Sequence, residues 1–310
     1  MTALGLGLAA LGRPGYITLG HGSDLPAGRD VDAMRDHAHR MLDLAWACGV
    51  RHLDAARSYG RAEEFLGSWL RRHPGRREQV TVGSKWGYTY VAGWQVDAER
   101  HEIKDHSVQT LVRQWEESLE ALGGAPAVYV IHSVTPDSPA LGDERLLGAL
   151  AEIARDGVRV GISTSGPEQA AVVTRALELG ATSPFSAVQS TWNLLESSCG
   201  PALAAASRAG WHVALKETVA NGRLTPRSPV PAVLDLVSRT HHAGPDAISV
   251  AAALSQPATV ALVGAATPEQ LQSNRGAVDL SLTDEELAQL ATLAEEPAVY
   301  WSRRSELAWN

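Results

Sequence analysis

Short apolar runs alternate along the chain with segments in which apolar residues recur at helical spacing. The most regular helical segment covers residues 107–122. Its apolar stripe consists of Val108, Leu111, Val112, Trp115, Leu119 and Leu122. The run at residues 127–134 is almost continuously apolar, which is typical of a strand that is buried on both faces. This alternation predicts parallel strands that are connected by helices.

Eight strands are predicted from the apolar runs. They cover residues 4–10, 51–56, 80–86, 127–134, 159–164, 187–193, 212–217 and 259–265. Eight strands separated by helices predict a (β/α)8 TIM barrel of the α/β class, and we expect residues 1–310 to form a single domain. The alternative is a doubly wound open sheet, which usually carries a glycine fingerprint after its first strand. Gly5-Leu6-Gly7 lacks the third glycine of that fingerprint.

Polar segments predict where several helices begin and where the loops are long. Three pairs match the capping-box pattern of a helix start: Ser165 with Glu168, Thr267 with Gln270, and Thr283 with Glu286. Residues 87–105 predict a long active-site loop after the third strand, and residues 297–310 predict an irregular C-terminal tail. We expect the loop after the third strand to wall the mouth of the barrel.

Composition excludes several other classes of protein. The chain has 310 residues, 45% of them hydrophobic, and a formal net charge of -8, and its lack of a basic run argues against nucleic-acid binding. No run of about 18 apolar residues predicts a membrane span, and the apolar N-terminus lacks the positive charge of a signal peptide. Cys48 and Cys199 are the two cysteines, so we expect a reducing, cytoplasmic location.

Four polar residues lie at or just beyond predicted strand ends, where a parallel barrel builds its active site. Asp54 lies near the end of the second strand and Tyr59 follows it. Lys85 lies near the end of the third strand, and His132 near the end of the fourth. A tyrosine becomes a useful proton donor when its pKa is lowered from about 10, and a neighbouring ammonium has that effect. Each residue alone also has an ordinary interpretation as a turn, packing, surface or core residue.

In this order, the four residues resemble the catalytic set of the aldo-keto reductase family. The resemblance covers almost the whole chain and rests on Asp54-Ala55-Ala56-Arg57-Ser58-Tyr59-Gly60, Ser84-Lys85-Trp86, Ile131-His132-Ser133, Gly161-Ile162-Ser163, Gln189-Ser190-Thr191-Trp192-Asn193 and the stretch from Gly264 to Asn274. It implies an NAD(P)H-dependent oxidoreductase that reduces an aldehyde or ketone to an alcohol, or catalyses the reverse. It also implies that Tyr59 donates the proton and that Lys85, held by Asp54, lowers the pKa of that tyrosine. His132 would orient the carbonyl group.

The resemblance also implies a cofactor site and a substrate pocket. The implied cofactor residues are Ser163, Thr164, Gln189, Lys216, Glu217, Val219, Asn221, Gly264, Gln270 and Asn274, and the implied substrate residues are Trp86, Tyr88 and Trp301. NADPH is the cofactor expected from the family, with NADH as the alternative. Thr164 replaces a usual asparagine, and Lys216 replaces the aromatic residue that commonly stacks on the nicotinamide. Ala266 and Gln270 stand where basic residues grip the 2′-phosphate, so we expect weaker discrimination between NADPH and NADH.

Two other functions remain open from the sequence. A cofactor-binding regulatory subunit would keep the fold and turn over slowly, although the intact set of four residues argues against lost chemistry. A Schiff-base aldolase would use Lys85 as its nucleophile, which conflicts with a lysine kept protonated beside Asp54. We expect a small-molecule carbonyl or alcohol substrate, and no metal, nucleic-acid or membrane partner. The identity of the substrate, the physiological direction and the oligomeric state stay open.

Overall fold

The computed structural model describes residues 2–310, and within them the chain forms ten strands and eleven α-helices. The strands are β1 (Ala3–Gly7), β2 (His52–Asp54), β3 (Thr81–Trp86), β4 (Tyr88–Tyr90), β5 (Glu102–Lys104), β6 (Val128–Val134), β7 (Arg159–Thr164), β8 (Ala187–Thr191), β9 (His212–Lys216) and β10 (Val260–Val263). All except β4 and β5 join in a closed parallel barrel in the order β1-β10-β9-β8-β7-β6-β3-β2. The prediction of a (β/α)8 barrel is therefore confirmed, although most of the predicted strands are a few residues too long.

Helices connect the barrel strands and pack around them. They are α1 (Val31–Ala47), α2 (Ala62–Arg72), α3 (Val108–Leu122), α4 (Glu144–Arg155), α5 (Gln169–Glu178), α6 (Gly200–Arg208), α7 (Ala232–Thr240), α8 (Pro245–Leu254), α9 (Pro268–Gly276), α10 (Asp284–Ala291) and α11 (Pro297–Ser305). Helix α3 begins where Ser107 Oγ accepts the Thr110 N–H, and it ends at Gly123, whose φ of 70° suits a glycine. No helix in the stretch 2–310 combines the length and the apolar content needed to cross a membrane.

The side chains of β6 alternate between two apolar cores. Tyr129 and Ile131 belong to the large core between the barrel and the helices, whereas Val128 and Val130 cluster with Ala187 of β8. Because successive side chains of a strand point to opposite faces, both faces of β6 have to be apolar. This explains why the sequence of this strand is almost continuously apolar.

Two segments predicted to be irregular contain regular structure. Residues 87–105 include an antiparallel hairpin in which β4 pairs with β5, and residues 297–305 form α11. Strands of three residues are too short for an alternating pattern to stand out from a loop. Helix α11 buries the adjacent Tyr300 and Trp301, and two neighbouring apolar residues do not make a helical period.

One of the three predicted capping boxes is confirmed, at Thr283 and Glu286, where both reciprocal hydrogen bonds form. The box predicted at Ser165 is wrong. A turn through Gly166, with a φ of 92°, separates this serine from α5, which begins at Gln169 without a side-chain cap.

The box predicted at Thr267 forms in half. The Thr267 hydroxyl accepts the N–H of Gln270 at 3.3 Å, as expected of an N-cap residue. The side-chain oxygen of Gln270 accepts the N–H of Ala266 at 2.8 Å, one residue before the position that a capping box uses. The amide nitrogen of Gln270 is thereby free to reach a different loop, which matters for the cofactor groove described below.

The close approach of β7 and β8 at Gly161 provides a test of the packing of the barrel. A Cβ added at Gly161 in β7 would lie 1.8 Å from the carbonyl oxygen of Ala187, and a backbone atom cannot rotate away. We therefore expect Gly161→Ala to lower the free energy of unfolding by about 3 kcal/mol or more, the upper part of the range for overpacked interiors. Urea denaturation of the purified protein measures this change.

Gly148 in α4 is the matched control, because a Cβ added there meets nothing within 4 Å. Gly148→Ala replaces a glycine in the interior of a helix and should raise the free energy of unfolding by about 0.5–1 kcal/mol. If both variants had the same urea midpoint, the close approach of β7 and β8 would not constrain the fold.

Candidate active site

A cavity of about 420 Å³ opens at the carboxyl ends of the barrel strands. The last residues of four strands line it, Gly7, Asp54, Lys216 and Val263, together with Gln189 from within β8. Tyr59, Tyr88 and His132 also line it, so three of the four candidate catalytic residues face this space. The cavity therefore lies at the face of the barrel where parallel α/β barrels place their active sites.

A buried ion pair lies beneath this cavity. Lys85 is fully buried, and its Nζ donates to Asp54 Oδ2 at 2.5 Å and to the carbonyl oxygen of Ala55 at 2.8 Å. The second carboxylate oxygen of Asp54 accepts the side-chain N–H of Gln189 at 2.9 Å. Asp54 is thus held from β3 on one side and from β8 on the other, a contact with Gln189 that the sequence did not predict.

Tyr59 lies directly above this ion pair. The centre of its ring is 4.7 Å from Lys85 Nζ, and the tyrosine is nine-tenths buried. Burial raises the pKa of Tyr59 well above its ordinary value, and the nearby Asp54 carboxylate raises it further, while Arg13 acts in the opposite direction. Burial and the Asp54 carboxylate dominate, so the pKa of Tyr59 is raised, contrary to the prediction from the sequence that Lys85 lowers it. The phenol is protonated at neutral pH.

His132 lines the cavity beside Tyr59, from within β6. Its ring lies edge-on to Tyr59, with ring centres 5.6 Å apart, and it also contacts Tyr88 at 5.0 Å. Burial lowers the pKa of His132 well below its ordinary value, and the Lys85 ammonium lowers it further. The imidazole is therefore neutral at neutral pH and can donate one N–H to a ligand oxygen.

A second cavity of about 260 Å³ continues from the first toward the start of α9. The two share Thr18, Val219 and Gly264, so they form one groove across the end of the barrel. Six further predicted cofactor residues line this groove along with Val219 and Gly264: Gln189, Lys216, Glu217 and Asn221 in the first cavity, and Gln270 and Asn274 in the second.

The groove fits an elongated ligand with polar groups. Asn221 is buried, and its Oδ1 has no hydrogen-bond partner within residues 2–310, although the residue lines the groove. Ser165, which the sequence indicated only as a helix cap, also lines it. Such an orphaned acceptor calls for a ligand donor or a water, and these residues therefore fit a dinucleotide.

The structure does not bring Ser163 and Thr164 to the groove. Ser163 Oγ accepts the backbone N–H of Ser133 at 2.9 Å, and Thr164 Oγ1 bonds Ser190 Oγ at 2.6 Å. Both side chains are fully buried. Ser163 is near the groove through its bond to Ser133, which does line it, whereas Thr164 is turned toward the neighbouring strand.

Trp86 and Trp301 likewise do not line the cavity, unlike the third predicted substrate residue, Tyr88. Trp86 follows Lys85 in β3, and since the lysine points into the barrel the tryptophan points outward. It is fully buried in the core between barrel and helices. Trp301 is buried in the same core from α11, and its ring centre lies 5.8 Å from Lys216 Nζ.

An ionic cluster around Glu217 fixes α11 against the cavity. Arg304 donates to both carboxylate oxygens of Glu217, and the Tyr300 hydroxyl lies 3.4 Å from the carboxylate. Burial tends to raise the pKa of Glu217, but Arg304 and Lys216 outweigh it and lower the pKa to about 2. Burial also lowers the pKa of Lys216 to about 8, while its Nζ donates to Thr191 Oγ1 at 2.8 Å.

Arg13 is a site residue that the sequence did not indicate. It is 3% exposed and donates to the carbonyl oxygen of Ser58 at 3.1 Å and to Glu102 at 2.5 Å. Its guanidinium also lies 5.2 Å from the ring centre of Tyr59 and 4.7 Å from that of Trp309. The Arg13 side chain thus connects the loop after β1 to the Tyr59 loop, the hairpin and the C-terminus. No local sequence pattern predicts contacts between segments so far apart in the chain.

The comparisons with known proteins agree with this fold. The family model described as the aldo/keto reductase family matches residues 18–295. Aldo-keto reductase str7 from Strobilurus tenacellus is 26% identical over 304 residues, which cover 88% of this chain and 85% of that protein. A solved structure of aldo-keto reductase AKR11C1 from Bacillus halodurans, in its holo form, has a similar fold. Its TM-score is 0.71 at 22% identity, covering 94% of this chain and 92% of that one.

The chain belongs to the aldo/keto reductase family. It is accordingly an NAD(P)-dependent oxidoreductase.

The position of Arg13 predicts its contribution to stability. Arg13→Met removes two charge-assisted hydrogen bonds from a buried site, and we expect the free energy of unfolding to fall by about 1.5–3 kcal/mol. Urea denaturation measures the change. The control is Arg61→Met, because Arg61 pairs with Glu64 on the surface, where an ion pair contributes about 0.5 kcal/mol or less. Equal stability of the two variants would contradict the role of Arg13 as the joint between the loops.

Proposed function

We propose that this protein reduces an aldehyde or ketone to an alcohol, or catalyses the reverse reaction, with Tyr59 as the proton donor. The observation that carries the proposal is the meeting of Tyr59, Asp54 and His132 at one cavity, with Lys85 directly beneath it. These four side chains come from three different strands and the loop after β2. Tyr59 is the proton donor and Lys85 the cation beside it, Asp54 binds Lys85, and His132 lies next to Tyr59 as a second hydrogen-bonding group.

A nicotinamide dinucleotide supplies the hydride in this reaction when it is bound. The groove residues Gln189, Asn221, Gly264 and Asn274 would hold it, and Ser163 and Thr164 remain proposed ligands on the strength of the family resemblance. Lys216 occupies the place of an aromatic residue, and its alkyl stem can cover an apolar ring face. Its ammonium is engaged by Thr191 and the Glu217 carboxylate.

Tyr59 is suited to proton donation because it is protonated and close to a cation. As the phenol transfers its proton to the substrate oxygen, negative charge develops on Tyr59. The Lys85 ammonium, 4.7 Å from the ring centre, favours that charge. Asp54 holds Lys85 in place. Arg13 favours the phenolate in the same way from the other side of the ring.

His132 is suited to orienting the substrate. Its neutral imidazole faces the cavity beside Tyr59, so a carbonyl oxygen placed between them can accept hydrogen bonds from both. The His132 carbonyl oxygen accepts a hydrogen bond from the His106 ring at 2.8 Å, which supports its position. We propose Tyr88 as a further wall of the substrate pocket, since it contacts His132 and lines the cavity.

The contacts of Lys85 weigh against the aldolase alternative. A Schiff-base nucleophile has to be a neutral amine, whereas Lys85 Nζ bonds a carboxylate and a carbonyl oxygen, both of which are acceptors. Borohydride treatment in the presence of a carbonyl substrate would leave Lys85 unmodified in a reductase and would trap it covalently in an aldolase.

Tyr59→Phe tests the proton donor. We expect kcat for carbonyl reduction to fall by about a hundredfold or more, the contribution of a general acid, because the transition state loses its proton source. The dissociation constant of the cofactor should change by less than about threefold, since the lost hydroxyl acts on the chemical step. Steady-state kinetics over a panel of aldehydes and ketones and a fluorescence titration give the two values.

Tyr90→Phe is the matched control for this variant. Tyr90 lies in the hairpin, and its hydroxyl has no hydrogen-bond partner among residues 2–310, so its removal should leave kcat nearly unchanged. Turnover by Tyr59→Phe at the level of Tyr90→Phe would refute the assignment of the proton donor.

Lys85→Met tests the cation beside Tyr59. Removing the ammonium leaves the Asp54 charge uncompensated below the phenol, so we expect the pKa of Tyr59 to rise further and kcat to fall by about a hundredfold or more. The pH dependence of tyrosine absorbance and of kcat measures both effects. Lys104→Met is the control, because Lys104 lies over the ring of Tyr88 at 6.0 Å and not over that of Tyr59. An unchanged titration of Tyr59 in Lys85→Met would show that this cation does not act on it.

A further inference from the structure

The end of the groove farthest from Tyr59 is rich in carboxylates. Asp246 and Glu269 line it, and Asp24 lies directly behind it, where it accepts the side-chain N–H of Gln270 at 2.9 Å. Asp246 is buried and accepts one hydrogen bond from Asn274 at 3.1 Å. This is the end beside the start of α9, where the adenosine half of a dinucleotide lies if its nicotinamide faces Tyr59.

Arg227 is the one cation that lines this end of the groove in the part of the chain that the structure describes. Both of its terminal nitrogens donate to Asp24, in a two-pronged ion pair, and one of them also donates to the carbonyl oxygen of Leu19 at 2.9 Å. The Asp24 side chain is 4% exposed. The Arg227 side chain is 33% exposed, and its three contacts occupy three of its five N–H donors. The Asp24 carboxylate already balances the charge of Arg227, so this arginine offers a phosphate no unpaired cation.

The other cations near the groove are also engaged elsewhere. Lys216 lies at the opposite end, on Thr191 and Glu217. Arg275 belongs to α9, but it pairs with Asp279 and lines a depression at the amino ends of the strands, on the far side of the barrel. Its side chain therefore does not reach a phosphate bound in the groove.

Asp24, Arg227 and Gln270 also close the groove. Asp24 belongs to the loop after β1, Arg227 to the loop after β9, and Gln270 to the first turn of α9, so their contacts join three segments around the same end. The N–H of Leu19 donates to the carbonyl oxygen of Asn221 at 3.0 Å and strengthens the link between the two loops. We call these three residues the acidic clasp.

We infer that the acidic clasp and the carboxylates beside it select a dinucleotide with a free 2′-hydroxyl, NADH, over the 2′-phosphorylated NADPH. A 2′-phosphate placed here would meet Asp246 and Glu269 with no unpaired cation, whereas a ribose hydroxyl can donate to either carboxylate. The inference rests on the proposed function and names its cofactor. Asp24 is then a specificity-determining residue that acts by occupying Arg227.

The test is the ratio of the dissociation constants of NADH and NADPH, measured by isothermal titration calorimetry on the purified protein. We expect the wild type to bind NADH about tenfold or more tightly than NADPH, the effect of one missing charge-assisted contact. Asp24→Asn releases Arg227 and should tighten NADPH by about tenfold while changing NADH by less than about threefold. The double variant Asp24→Asn with Arg227→Gln should lose that gain.

Asp279→Asn is the matched control. It makes the same change of charge and also frees an arginine, Arg275, but on the far side of the barrel, so the ratio should stay at the wild-type value. Glu269→Gln is a second probe that leaves the clasp intact. Glu269 is exposed at the start of α9, so its replacement carries little risk to folding, and NADPH should bind more tightly in this variant.

The outcomes separate this inference from the function on which it rests. A wild type that prefers NADPH, or a ratio that neither Asp24→Asn nor Glu269→Gln changes, overturns the inference and leaves the carbonyl reductase proposal standing. Absence of binding by both nucleotides overturns the two together. A preference for NADH that Asp24→Asn and Glu269→Gln each reduce, and that Asp279→Asn does not, supports the inference.

Discussion

The buried ion pair of Lys85 and Asp54 is the interaction on which the candidate site depends. Removing two charges from water costs several kcal/mol for each ion, and the mutual attraction compensates only when the remaining donors and acceptors are satisfied. Here Ala55 and Gln189 complete the set, so contacts from β2, β3 and β8 have to coincide. A closed barrel brings these distant strands together. The buried charge beneath Tyr59 therefore depends on the barrel fold.

A second set of charges ties the C-terminal helix to the same cavity. Glu217 follows β9 and receives Arg304 from α11, while Lys216 beside it bonds Thr191 on β8. Burial alone would favour neutral groups at these positions, yet the pKa of Glu217 is lowered to about 2 because two cations face it. The lysine that replaces a stacking aromatic residue is therefore part of an ionic framework, and a change at position 216 would also disturb the attachment of α11.

The sequence predicted the barrel and the residues that belong to regular strands, and it was weaker wherever a contact joins distant loops. Asp54 and Lys85 could be predicted because strand ends converge in a parallel barrel. The direction of Trp86 could not be predicted reliably. Successive side chains of a strand alternate between its two faces, and the sequence leaves open which residues of β3 face inward. Arg13 and Asp24 carry no local signal at all, because their partners lie from 45 to more than 200 residues away.

The loop after β9 contains strained backbone conformations, and contacts from distant segments hold them in place. Of the six non-glycine residues with positive φ within residues 2–310, Glu217, Ala220 and Asn221 lie in the loop after β9, and Ser133 follows His132. Such conformations cost about 1–3 kcal/mol each and persist only where surrounding contacts fix them. The loop after β9 is fixed at Glu217 by α11 and at Asn221 by the loop after β1. The loop after β9 is thereby ordered before any ligand arrives, so that its ordering cost is met by folding and not by binding.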